Sequence, residues 1–254
     1  CHTPPRWLYG YETASKFSHL WPVKIYAALV GHFLRMYDFQ TAQKINLWIA
    51  NSQNVRARIK KFYRKNAVVI YPPVDVENIK LQTSNISGAK EDYYFLASRQ
   101  VGAKGIEEAI KIFAKLGKKL YIAGEGGEFT AESKNIKFLG RLSDEELYQT
   151  YAKAKAFIAL ARDEDFGMTA VEAQAAGTPV IAFKGGGFKE SVIDNVTGIL
   201  IKSLDEKTLY KAIQKIERTK WNKEALRTNA RRFSKRRFEE KILQLIKTHA
   251  QDKK

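Results

Sequence analysis

The chain has 254 residues, 44% of them hydrophobic, with a formal net charge of +17 and one cysteine, Cys1. That is enough apolar material for one large domain or two smaller ones, and it excludes a disordered chain and an internal disulfide. No apolar run is long enough to span a bilayer and no signal peptide is legible, so a reducing, cytoplasmic setting is expected.

The charge is uneven. Residues 1–66 hold eleven Lys/Arg against two acids, residues 219–254 hold twelve against four, and residues 67–218 hold equal numbers. The ends therefore carry +9 and +8 around a neutral middle. They read either as plain basic surface or as one face that meets something anionic: a membrane surface, nucleic acid or a phosphorylated substrate. A nucleic-acid partner is disfavoured, because no RNA- or DNA-binding motif accompanies the charge. Opening on Cys1 rather than Met, the chain is expected to be a trimmed piece of a longer one.

In chain order, WPVKIYAALVGHFLRMYDF (21–39) mixes aromatic residues with Lys and Arg. It reads either as a core helix whose partners lie elsewhere or as an interfacial element lying on a bilayer. INLWIANS (45–52) is expected to be a strand, 53–65 a basic helix and AVVIY (67–71) a second strand. One β-α-β piece is too small for its own core, so residues 1–72 are expected to be the remnant of an N-terminal α/β domain. The prolines of YPPVD (71–75) stop the strand, and residues 73–92 are expected to be a hinge and a patternless linker. From Tyr93 apolar runs alternate with helical periods: strands at 93–98, 119–124, 135–140, 155–160, 178–183 and 197–201, and helices at 105–116, 143–154 and 168–177. Ser143 and Glu146 form a capping-box pattern. Continuous apolar strands between helices predict a doubly wound parallel α/β sheet, Rossmann-like, over 93–220. Helices follow at about 205–218, 221–232 and 235–249, and 221–254 is expected to pack back toward the N-terminal part.

Ligands of such sheets bind at the carboxyl ends of the strands. There stand Arg99 and Lys104 in RQVGAK, Gly124 and Glu125 in GEGGE, Gly140–Arg141, and the segment EDFGMTAVEAQAAG (164–177). Gly167, beside an exposed-looking Phe166, permits close approach to the backbone. The amides opening the next helix, at Met168 and Thr169, form a phosphate seat. Glu172, one turn in, could accept both hydroxyls of a ribose, and Glu164 reaches hydroxyls on the other side of a diphosphate. Arg99 and Lys104 supply the cations. Each residue alone reads as ordinary surface; together at one sheet edge they read as a sugar-nucleotide site. GEGGE departs from a dinucleotide fingerprint at Phe129, which disfavours a dehydrogenase. GGG (185–187) reads as a flexible turn.

EDFGMTAVEAQAAGTPVIA resembles the Glu-x7-Glu segment of retaining glycosyltransferases of the family-4 kind, with the GT-B fold. ASRQVGAKG is similar to their donor-phosphate segment, FLGRLSDEELYQTYAKAKAFI to the run leading into the site, YPPVD to their hinge, and CHTPPR to a loop bearing a functional His. The resemblance implies that Glu164 and the Phe166–Gly167 amides hold the donor sugar, that Glu172 holds the ribose and that Arg99 and Lys104 hold the diphosphate. It places His2 near the transferred sugar. It implies a nucleoside diphosphate hexose, GDP-mannose first, and a saccharide or polyprenyl-lipid-linked acceptor. No Asp-x-Asp stands out, so neither metal nor cofactor is expected. Roughly the first half of the family's N-terminal domain, with its early Gly-rich loop, is expected to lie outside this chain, so a partner chain or parent is expected to complete the acceptor site. Failing that, the chain is a nucleotide-sugar-binding module without activity of its own.

Overall fold

The computed structural model describes residues 1–11, 21–86, 89–99, 104–126 and 133–251, with side chains left aside at 23, 25–27 and 251. It divides into two units, Cys1–Ile70 and Tyr71–Lys254.

The first unit holds α1 (Trp21–Gln43), β1 (Trp48–Ala50), α2 (Gln53–Tyr63) and β2 (Ala67–Val69), with β1 and β2 parallel. Ser52 starts α2 by accepting the Val55 amide at 3.0 Å. Val55, Ile59 and Tyr63 recur at helical spacing and close on Trp48, Ala50 and Ala42. Tyr9 and Tyr63 both donate their hydroxyls to Asp38, at 2.7 and 2.8 Å. Burial and that carboxylate push both phenols well above their ordinary range. The expected helix at 21–39 is α1, but Leu29, Phe33 and Tyr37, four residues apart on one face, are exposed.

The second unit adds α3 (Val76–Thr83), β3 (Tyr94–Ala97), α4 (Ile106–Leu116), β4 (Leu120–Ala123), β5 (Ile136–Gly140) and α5 (Asp144–Lys153). After these come β6 (Phe157–Ala159), α6 (Met168–Ala175), β7 (Val180–Phe183), α7 (Phe188–Ser191) and β8 (Gly198–Ile201), then α8 (Glu206–Arg218), α9 (Lys223–Arg231) and α10 (Lys235–Gln251). Six parallel strands run β5-β4-β3-β6-β7-β8. The chain thus builds outward from β3 to one edge, returns to β6 beside β3, and builds to the other edge. The reversal of strand order lies between β3 and β6.

Two expectations are corrected here. Residues 76–83 are a helix rather than a linker: Asp75 caps it, and Val76, Ile79 and Thr83, spaced three and four apart, are buried against the sheet's core. Two buried apolar residues in a polar octet leave a weak pattern that tertiary packing completes. The second unit also begins at Tyr71, not at 93, and runs to Lys254, with α9 lying against α6. Buried side chains fill both faces of the sheet: Tyr94, Leu96, Ile106, Phe113, Ile158 and Ile213 on one, Phe95, Tyr151, Phe157, Val171 and Phe233 on the other.

Candidate functional site

α4 follows β3 and α6 follows β6, so both helices start at the carboxyl edge beside the strand reversal. Each opens on a glycine in the left-handed region, Gly105 (φ +71°) and Gly167 (φ +89°), and neither start has a side-chain cap. Their first amides therefore stay available to a ligand. Space also demands these glycines. A Cβ on Gly105 would lie 2.8 Å from the Leu160 carbonyl oxygen, and one on Gly167 would lie 2.6 Å from the Phe188 ring.

Lys104 precedes α4, and its Nζ donates to Glu164 Oε2 at 2.8 Å. Both side chains are about one-fifth exposed, at 24% and 19%. The structure thus joins two residues sixty positions apart, one from each side of the strand reversal. Arg99 is exposed just beyond β3, Met168 is 40% exposed at the first turn of α6, and Thr169 is half-buried. Glu172 is half-buried one turn further, and its Oε2 accepts the Tyr151 hydroxyl at 3.1 Å. Burial pushes the Glu172 carboxyl above its ordinary value, with the Tyr151 hydrogen bond opposing and Asp144 adding to the rise. The Tyr151 phenol, fully buried, is pushed well above its usual range by burial and then by Glu172. Tyr151 escaped the sequence reading; its signal was Tyr148 and Tyr151 at helical spacing on α5.

Two expectations fail at this site. Phe166 is buried to 2%, its ring packed on Tyr71 and Phe233 with centroids at 5.4 and 5.0 Å. GGG is not a flexible turn. A Cβ on Gly186 (φ +51°) would sit 2.1 Å from the Glu164 carbonyl oxygen, and one on Gly187 would sit 2.3 Å from the Phe166 Cα. The Gly187 amide donates to the Glu164 carbonyl at 2.8 Å. The glycines let two loops touch backbone to backbone and so fix Glu164.

Gly124 (φ +127°) crosses the end of β3, where a Cβ would lie 1.9 Å from the Ser98 carbonyl oxygen. Its amide donates to Gly140 at 2.8 Å, placing Gly124 and Gly140 side by side. Glu125 and Arg141 are exposed beside them. Residues 100–103 and 127–128, parts of RQVGAK and GEGGE, and Phe129 after them lie outside the described residues. His2 is exposed in the first unit, where the neighbouring Cys1 amino group donates to the Ile49 carbonyl at 2.7 Å.

Comparison with known proteins bears on the fold and the family. An uncharacterized glycosyltransferase of Methanocaldococcus jannaschii is 26% identical over 219 residues, covering 82% of this chain and 59% of that protein. A D-inositol 3-phosphate glycosyltransferase of Actinosynnema mirum is 37% identical over 112 residues, 42% of this chain and 27% of that one. The chain thus spans less than two thirds of the length of these relatives. Among solved structures, sucrose-phosphate synthase of Thermosynechococcus elongatus superposes with a TM-score of 0.76 at 19% identity, over 98% of this chain and 67% of that one. Anabaena HepE, solved with UDP and glucose, gives 0.66 at 21%, over 84% and 66%. Likeness at these identities establishes the fold, the parallel α/β fold of GT-B glycosyltransferases. Residues 78–233, more than half of the chain, match the family described as glycosyl transferases group 1, and the chain belongs to that family.

Proposed function

We propose that the chain carries the donor half of a glycosyltransferase that moves a hexose from a nucleoside diphosphate sugar to a hydroxyl, with retention and without a metal. The observation that carries this reading is the Lys104–Glu164 pair beside the open starts of α4 and α6. Donor binding would place the diphosphate over those amides. Lys104 and Arg99 would meet its growing charge as the sugar departs, a preorganised electrostatic role. Glu164 would accept sugar hydroxyls, with its backbone clamped by the glycine run, and Glu172 would accept the ribose hydroxyls. His2 is proposed to lie near the transferred sugar. The donor proposed from the resemblance is GDP-mannose; HepE, with its UDP and glucose, supports a uridine donor as the second reading.

The proposed acceptor is a saccharide or a polyprenyl-linked one, met at the cytoplasmic face of a membrane. The exposed Leu29, Phe33 and Tyr37 stripe on α1 supports docking on a bilayer, or cover by a further α/β half-domain from the parent or a partner chain. No helix among the described residues is long and apolar enough to cross a membrane.

Calorimetric titration with GDP, UDP and ADP tests the donor reading. One nucleotide should bind, and Glu172→Ala and Arg99→Ala should each abolish or strongly weaken it. A folded chain that binds none of the three overturns the reading.

A further inference from the structure

The opposite edge of the same sheet carries a second constellation. A cavity of about 580 Å³ opens before β3, β6 and β7. Its cations are Lys90, Lys155 and Lys223, its acid is Glu217, and Pro179, Ile216 and Trp221 make its apolar wall. Charge does not cancel there. Glu217 already accepts from Lys118 at 2.7 Å and from the Tyr94 hydroxyl at 3.0 Å, and it lies 3.6 Å from Lys155. Lys155 is further paired with Asp92. Lys153 and Glu91 pair with each other nearby. Lys90 and Lys223 have no carboxylate partner among the described residues.

Lys90 is held in place by neutral groups. Its Nζ donates to the Ala152 carbonyl at 2.5 Å and to Thr178 Oγ1 at 2.6 Å, and Thr178 Oγ1 donates in turn to the Tyr151 carbonyl at 2.6 Å. An ammonium carries three donors, so one is left over. Burial, then the charges of Lys223 and Arg227 on α9, lower the Lys90 pKa to about 7. A partly buried cation that is hard to keep protonated, facing a second unpaired lysine across an apolar-walled cavity, suits an anion, whose charge would favour the protonated form. Two ammonium groups match a dianion better than a single carboxylate.

We propose that this cavity binds a small phosphate monoester carrying a planar apolar body, its head on Lys90 and Lys223 and its body against Trp221, Ile216 and Pro179. Gly177, just past the end of α6, also lines the cavity. The two sites therefore lie at opposite ends of an eight-residue helix roughly 12 Å long.

Titration calorimetry with phenyl phosphate at pH 8, run in Tris and in HEPES, tests the proposal. Saturable one-site binding is expected, with buffer-dependent heats that report uptake of about one proton per ligand as Lys90 is recharged. Lys223→Gln, a change at an exposed side chain, should weaken binding at least about tenfold. Lys90→Gln, once circular dichroism shows it folded, should lose the proton uptake; if it does not fold, Lys223→Gln and Trp221→Ala decide. Lys104→Ala should bind as the parent does. Absence of saturable heat up to ~10 mM overturns the proposal, as does unchanged affinity in Lys223→Gln. Loss of binding in Lys104→Ala also overturns it, since the phosphate then sits at the other sheet edge.

Discussion

Helices of one sheet begin here in two different ways. At the outer strands the chain seals its own helix starts: Ser143 and Glu146 close α5 reciprocally, and Asp205 caps α8 by accepting the Thr208 amide at 2.8 Å. At the central strands, either side of the reversal, α4 and α6 open on left-handed glycines that bring no side chain to the amides. A capping side chain contributes about 1 kcal/mol to stability. Its absence at these two starts leaves backbone donors for a ligand, and the Lys104–Glu164 pair stands between them. The difference between outer and central starts thus separates amides closed by a side chain from amides that carry no cap.

The largest expected effect breaks the central start by space alone. Gly186→Ala forces a Cβ toward the Glu164 carbonyl and strains a left-handed residue, so stability should fall by about 1–3 kcal/mol in urea denaturation. Gly140→Ala is the comparison, because its φ is also positive (+66°) but nothing lies within 4 Å of the new Cβ. It should cost about 1 kcal/mol, backbone strain alone. Equal losses in the two variants would mean that the loop contact at Glu164 adds nothing. Next comes Lys104→Ala, which removes a charged donor and should weaken binding of the nucleoside diphosphate about tenfold to a hundredfold by calorimetry. Unchanged affinity would remove Lys104 from the site. A smaller change acts at the outer start. Ser143→Ala should cost ~1 kcal/mol of stability and leave nucleotide affinity unaltered; a loss of affinity would show that the two kinds of start are not separable.

Much of this contrast was legible in the residues. The central strands read as continuous apolar runs because both faces of the sheet are covered, and the alternation with helical periods fixed their parallel sense. Ser143 and Glu146 announced the sealed start of α5, and Gly167 the open one of α6. Glu164 and Lys104 stood out because they follow strands, although their pairing needed the fold to bring β3 and β6 together. The GGG run was misread for a physical reason. A glycine's role depends on what approaches it, and the Glu164 carbonyl belongs to another loop. Phe166 was read as exposed because the rings that bury it, on Tyr71 and Phe233, come from distant parts of the chain. The α3 helix was missed because its stability comes from packing on α5 and α6 rather than from its own sequence.

The smallest expected effect uses pH to sharpen the comparison through two glutamates. Glu146, exposed at the outer start, has its carboxyl held below the ordinary value by the Ser143 amide and hydroxyl. Its contribution is present above the ordinary carboxylate pKa and fades as pH falls through the lowered one, because the unfolded chain takes up the proton first. Glu172, half-buried beyond the central start, has a carboxyl raised by burial. Between the ordinary and the raised value the folded chain holds the extra proton, so this group lowers stability as pH rises through that window. Denaturant midpoints followed from pH 3 to 7 should therefore diverge from the parent in opposite senses. Glu146→Gln should fall progressively below the parent as pH rises, and Glu172→Gln should gain on it. Parallel profiles for the two variants would show that neither environment differs from water, and would leave the burial of Glu172 without an energetic consequence.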